Sequence, residues 1–515
     1  MSARGQTDSR GGVVATGSPA ATAAGEAIFR AGGNATDAAV AAALTLCVAD
    51  PANASLLGRC HIVVRTEQGG FFAIDGASSI PASLPRDLGS GPLRWAGIPG
   101  LPHALCKLHH DHGRLSLAEV VAPAARLADE GSSAPPHLAA VWALRASELV
   151  EAGAGPYLDG GSPPALFRHE KLAGLLRAYG EGGAPAIMSG ATANRLVDGI
   201  RARGGHWRIE DLEAADAREG EILHCQFRDC QVTTIGRQGW GHTLLEMLAI
   251  LDRLPKFGPA LTGREACTLA AIIETCFEDR PQRLGSLEPK PDGLPFEALI
   301  DPHFVAKRGD AISQSLINGS VPHARVASEL PTQALREDQD TTHLSALDAS
   351  GMAVALTMSI GPHFGLRSTD TSFGLFPAKS YRMGSDPVPG ARDVTEMTPA
   401  IVSRGGRVLL SLGGAGSERI PGAVAQTIVN VVDRGLGLPE ALRAPRVNFK
   451  DGCPRVHADA GHEVIEALRA HWSRVEVHAL GHESHLGIVQ VVGERADGRL
   501  DGAADPSWDG TCRVA

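Results

Sequence analysis

Two short segments of this chain carry side chains whose types and spacing could do chemistry. In the first, the acidic run Glu337-Asp338-Gln339-Asp340 leads into Thr341-Thr342-His343 at the start of a β-branched stretch. A threonine hydroxyl is a weak nucleophile at neutral pH and needs an adjacent base, although a threonine opening a strand is also simply a good β residue. In the second, Gly413-Gly414-Ala415-Gly416-Ser417 follows an apolar run. No Gly-Lys-Ser/Thr follows it, so the phosphate-loop pattern fails. Glycines in that place still leave backbone N–H groups open to an anion or a developing oxyanion.

Other clusters say less. Neighbours in His109-His110-Asp111-His112 diverge by about 100° on a helix and cannot all face one ion. Cys225 and Cys230 have no second Cys-x-x-Cys-type pair to complete a zinc site, and Gly236–Gly241 lacks the dinucleotide spacing. There is no Gly-x-Ser-x-Gly elbow. These residues call for no metal and no cofactor.

The elements that must position the threonine follow from hydropathy period. Residues 342–360 read as two half-alternating runs joined by Asp348-Ala349-Ser350-Gly351, a hairpin signal. Residues 400–414 repeat the pattern around Gly405-Gly406, and 61–67 with 71–76 do so around Gln68-Gly69-Gly70. The alanine-rich stretch 19–47, broken at 32–37, reads as a helical hairpin whose second helix Asn34 or Thr36 caps. Residues 115–290 read as mostly helical, with a short strand at 230–235. Residues 422–437 add a helix, and 474–480 and 486–492 add strands. Strand pairs followed by helices on both sides of residue 341 predict sheets covered by helices, an α+β class.

Composition bounds the rest. The chain has 515 residues, 61 of them glycine and 22 aromatic, and a formal charge of −10, which argues against a nucleic-acid partner. Nothing resembles a signal-peptide core or a membrane span of about 18 apolar residues, and the nine scattered cysteines do not make a disulfide framework. A cytoplasmic protein with reduced thiols is expected.

Six segments in order resemble the γ-glutamyltransferase family of N-terminal-nucleophile hydrolases: the opening Gly11–Leu46 stretch, His112–Gly131, Arg203–Ala217, Leu244–Leu254, the Thr-Thr-His-x-Ser motif at 341–345 and Ala441–Phe449. The resemblance implies a four-layer αββα fold and a precursor that breaks its own Asp340–Thr341 bond. This gives a large subunit of residues 1–340 and a small one of 341–515, with pairing of such heterodimers left open. The freed α-amine of Thr341, with a pKa of about 7.7–8.0, would serve as base for its own hydroxyl. By the same resemblance Ser359 orients Thr341, and the N–H groups of Gly416 and Ser417 form the oxyanion hole.

Where the family grips a glutamyl head group, this sequence departs. Ala77 stands in for the arginine that holds the α-carboxylate. Gly361, Lys379 and Arg382 match the positions that hold the α-amino group, and Thr395-Glu396 replace paired serines. Arg59 interrupts a glycine run. Losing such a charged clamp costs about 2–5 kcal/mol, and cations repel a substrate ammonium. The altered pocket therefore predicts a small-molecule carboxylate substrate gripped by Lys379, Arg382 and Arg59. It is similar to the family's branch in lincomycin, anthramycin and hormaomycin pathways. That similarity implies hydrolysis of a carbon–carbon bond in a 2-oxo acid side chain on a pyrroline-2-carboxylate, with release of oxalate. An amide hydrolase or acylase of the same superfamily and a processed but inactive structural homologue are the alternatives. Genuine γ-glutamyl transfer ranks last.

Overall fold

The computed structural model describes residues 11–280, 295–318, 339–380, 382–385, 387–479 and 485–515. In chain order the strands are β1 (Gly12–Thr16), β2 (Arg59–Arg65), β3 (Phe71–Gly76), β4 (Arg218–Gly220), β5 (Ile222–Phe227), β6 (Cys230–Ile235), β7 (Gln339–Asp348) and β8 (Ala353–Pro362). There follow β9 (Ala400–Arg404), β10 (Arg407–Ala415), β11 (Val447–Lys450), β12 (Cys453–His457), β13 (Glu476–His478), β14 (Ile488–Glu494), β15 (Leu500–Ala504) and β16 (Thr511–Val514). One sheet has the order β16-β1-β7-β8-β2-β3-β4 and a second the order β15-β14-β10-β9-β6-β5. β11, β12 and β13 form a small third sheet.

The alternation of side chains along β7 sorts the layers. Leu344 and Ala346 point into an apolar cluster with the helices Pro19–Arg30, Ala35–Ala49 and Leu117–Glu130. Leu347 points the other way, into a cluster shared by Val13, Val63, Ala355, Ile401 and Val492 between the two sheets. The far face of the second sheet carries Val232, Leu410 and Val489 against the helices Gly241–Asp252, Gly263–Asp279 and Ile420–Val432. Helix, sheet, sheet, helix is the expected αββα order.

The helical hairpin packs tightly because its residues are small. Gly25 leaves only 3.0 Å between a would-be Cβ and Val14. Asn34 caps the second helix in a reciprocal box with Asp37, and all of Ala35–Ala49 is buried, as suits a helix apolar on every side. The hairpins β2–β3, β7–β8 and β9–β10 form where alternation predicts them. The strand at 230–235 acquires an antiparallel partner, β5, that the sequence reading left out. Residues 337–338 of the acidic run lie outside the described residues.

The histidines of 109–112 diverge as the helical argument requires. His109 Nε2 lies 2.9 Å from the Leu115 carbonyl, while His112 stacks on Phe72. All nine cysteines are free thiols. Among the described residues no helix is long and apolar enough to cross a membrane, and no group of three His, Cys, Asp or Glu is arranged to hold a metal.

Candidate active site

β7 is held between β1 and β8, and its register with β8 slips at one point. Asp340 pairs with Gly361 and Thr342 with Met358, so Thr341 alone faces Ser359 and Ile360. Such a bulge re-aims one residue at the end of a ladder. By parity with His343, Ser345 and Leu347, Thr341 belongs to the face between the sheets, and it is 6% exposed. Opposite it, Ser359 Oγ accepts a 2.9 Å hydrogen bond from the Gly361 N–H. Gly361, still within β8 beside the bulge, has φ +99°, which an L side chain resists.

His343, two residues inward, braces this strand end. Its Nδ1 lies 2.8 Å from Thr357 Oγ1 and its Nε2 2.9 Å from Ser345 Oγ. Complete burial lowers its pKa to about 3, so the ring is neutral, one nitrogen donating and the other accepting. The ring reaches across to β10 of the other sheet, where a Cβ on Gly413 would stand 2.5 Å from its Cε1.

β10 ends at Ala415 in a turn with two successive positive φ angles, Gly416 at +115° and Ser417 at +54°. The turn Ser417–Arg419 packs against β7. Arg419 Nε donates to the Gly416 carbonyl at 2.7 Å, and its Nη1 donates to the His485 carbonyl at 3.1 Å, which fixes the turn. Ser417 Oγ donates to Glu396 Oε1 at 3.3 Å. Glu396 is buried, and desolvation holds its carboxyl above the usual range. A threonine facing the bulge in β8, the serine of that bulge and a strained glycine–serine turn thus meet at one end of the sandwich.

The gamma-glutamyltranspeptidase pattern matches residues 21–515 of this sequence. The chain belongs to that family. It is 29% identical to the acylase ACY 1 proenzyme of Pseudomonas sp. (strain V22), over 98% of this chain and 93% of that one. Among solved structures it is similar to cephalosporin acylase from Bacillus halodurans, with a TM-score of 0.84, 24% identity and coverage of 100% and 97%. It also resembles LmbA2991HD, with a TM-score of 0.79, 23% identity and full coverage of both chains.

Within this gamma-glutamyltranspeptidase-family chain the pocket residues are arranged differently from the sequence expectation. Asp393, 1% exposed, is a hub that the sequence reading missed. It accepts from Arg59 Nη1 at 3.2 Å, Ser78 Oγ at 2.7 Å, Ser380 Oγ at 2.8 Å and the Arg382 N–H at 3.3 Å. Arg59 also donates to the Lys379 carbonyl at 2.9 Å. It faces Ser359 across β2 and β8, so it borders the site, but its charge is balanced within the protein.

The other two predicted cations are also engaged with protein groups. The Lys379 ammonium lies 4.9 Å from the centre of the Trp95 ring, in a surface depression with Arg94 and Arg367. Arg382 Nη1 donates to the Arg392 carbonyl at 3.3 Å. Of the three, Arg59 has its counter-charge inside the protein, as a buried guanidinium requires. Ala77 is buried, and its N–H donates to Asp75 Oδ1 at 2.9 Å. Asp75 is in turn paired with Arg392 at 2.9 Å, so this corner is closed by an internal ion pair. Thr395 is tied down by its N–H to the Gln238 carbonyl at 3.2 Å.

One further cation stands in the neighbourhood. Arg280, just past the helix Gly263–Asp279, lies over Trp240 with Cζ 3.6 Å from the ring centre. Burial lowers its pKa to about 10, opposed by the charges of Glu396 and Glu418. No local pattern around residue 280 marks it, because its meaning comes from a loop forty residues earlier.

Proposed function

We propose that this chain is a self-processing hydrolase in which cleavage of Asp340–Thr341 turns Thr341 into an amino-terminal nucleophile. The observation that carries the reading is the placement of Thr341 opposite the Ser359–Ile360 bulge of β8, on the strand against which the Ser417–Arg419 turn packs; by the family resemblance, Ala77 takes the arginine position. The nucleophilic end fits the family and the head-group end does not.

On this reading the substrate is a 2-oxo acid side chain on a pyrroline-2-carboxylate. The α-amine of Thr341 takes the proton from its own Oγ as Oγ adds to the 2-oxo carbon. Backbone N–H groups at Gly416 and Ser417 stabilise the oxyanion, each worth about 2.7–4 kcal/mol. Collapse breaks the bond to the neighbouring carbon, whose electron pair passes into the ring as an enamine. The Thr341 ammonium protonates that carbon, and water then hydrolyses the oxalyl ester to oxalate, restoring the threonine.

A second reading is favoured by the acylase relatives: the same residues cleave an amide, with an amine as leaving group. Both share the first step. Intact mass of wild type and Thr341→Ala tests it: the wild type should give fragments 1–340 and 341–515 and the variant one chain. An uncleaved wild type overturns the proposal. Incubation with a conjugated 2-oxo acid and with oxamate-type amides then separates the two chemistries. Oxalate from the first supports carbon–carbon hydrolysis, and amine release alone defeats it.

A further inference from the structure

Buried guanidinium groups normally have their N–H groups accepted by something, because a buried donor left without an acceptor has lost its water for nothing. Arg280 is an exception: Nε and Nη1 are both buried, and neither has a hydrogen-bond partner among the described residues. The group is nonetheless held in a defined pose by the indole of Trp240 beneath it, with the Phe277 ring centre 6.0 Å away. A guanidinium stacked by its face keeps its edge for hydrogen bonding in the plane.

Its surroundings connect it to the site. Trp240 ends the loop that follows β6, and the same loop carries the Gln238 carbonyl that accepts from Thr395 N–H. Glu396 is the next residue along, and it receives the Ser417 hydroxyl. Glu418, the other acid whose charge reaches Arg280, is already paired with Lys450 at 2.8 Å. A positive group with unspent donors, fixed on an aromatic plate beside the Gly416–Ser417 turn, is built for an anion.

We infer that Arg280, stacked on Trp240, is the specificity-determining residue that receives the substrate's carboxylate beside Glu396 and Ser417. This rests on the hydrolase reading above and names its anion subsite. A carboxylate there completes the guanidinium's hydrogen bonds, and the buried carboxyl of Glu396 in its protonated form can donate to it as well. Arg59, Lys379 and Arg382 then act as framework, which is where their partners place them.

The test is titration of the full chain with oxalate as probe, by calorimetry, for wild type, Arg280→Gln, Arg280→Lys and Trp240→Leu. Arg280→Gln should weaken oxalate binding tenfold or more, and Arg280→Lys should recover part of the loss, since a point charge replaces a planar fork. Trp240→Leu leaves the charge but removes its plate, and should weaken binding severalfold. It also keeps the inference testable if Arg280→Gln misfolds. Oxalate binding within twofold of wild type in Arg280→Gln or Trp240→Leu, or no binding by wild type, overturns the inference. Intact mass of the same wild-type sample reports self-cleavage separately, so a failed nucleophile and a misplaced anion site give different results.

Discussion

Removing the Asp393 carboxylate should damage this protein more than any single surface change, and the damage should be largely reversible by removing Arg59 as well. In Asp393→Ala the Arg59 guanidinium loses its 3.2 Å counter-charge, and Ser78, Ser380 and the Arg382 N–H lose their acceptor. Breaking a buried pair from one side costs about 3–5 kcal/mol, because the surviving charge stays desolvated. With unfolding entropy scaling with chain length, that corresponds to a drop of about 3–5 °C in the unfolding midpoint for a chain this long. The assay is thermal unfolding in a Thr341→Ala background, which keeps the molecule a single chain. Replacing both partners with apolar groups of similar volume, Asp393→Leu with Arg59→Met, should restore at least half the loss. A midpoint shift under 1 °C for Asp393→Ala, or a double variant as damaged as the sum of the singles, would refute the assignment of Asp393 as the group that compensates Arg59.

Three further outcomes are expected. Desolvation by burial pushes the Asp50 carboxyl up to about 7, against the lowering effect of the hydrogen bond it accepts from Asn53, so its folded pKa lies above the unfolded one. Its contribution to stability is present in acid and lost as pH rises from the ordinary carboxylate range through about 7; the unfolding midpoint of Asp50→Asn should therefore fall less than that of wild type between pH 4.5 and pH 7.5, and parallel curves would count against it. Gly413→Ala places a Cβ against the His343 ring, an overpacking cost of about 1–3 kcal/mol, and should slow the appearance of fragments by mass spectrometry; unchanged kinetics would show that His343 does not brace Thr341. A chromogenic γ-glutamyl anilide should be left intact, since a missing carboxylate clamp costs about 2–5 kcal/mol, or roughly 30-fold and more; brisk colour release would mean that the head-group pocket is built another way.

The parts of the molecule that were legible in the sequence are those governed by short-range rules. The hairpins β2–β3, β7–β8 and β9–β10 and the cap at Asn34 depend on residues a few positions apart, so alternation and turn chemistry were enough. The pairing of β2 with β8, which brings Arg59 opposite Ser359, joins segments three hundred residues apart, and nothing local encodes it. The same distance hides part of the pocket. Trp95 beside Lys379 and Asp393 beside Arg59 come from far along the chain, whereas the Arg392 carbonyl that Arg382 meets is ten residues on, in a loop with no regular period to read. Arg280 and Trp240 carried no pattern at all, since a stacking pair needs only proximity.

The strand order has a consequence for any break in the chain near Thr341. Strands from before and after position 340 are shuffled like two hands of cards: β1 lies between β16 and β7, β2 beside β8, and β6 beside β9. Four hydrogen-bonded seams, not one docking face, join the two parts. Severed pieces could not drift apart without unravelling both sheets, and pieces made separately would have no finished surface on which to meet.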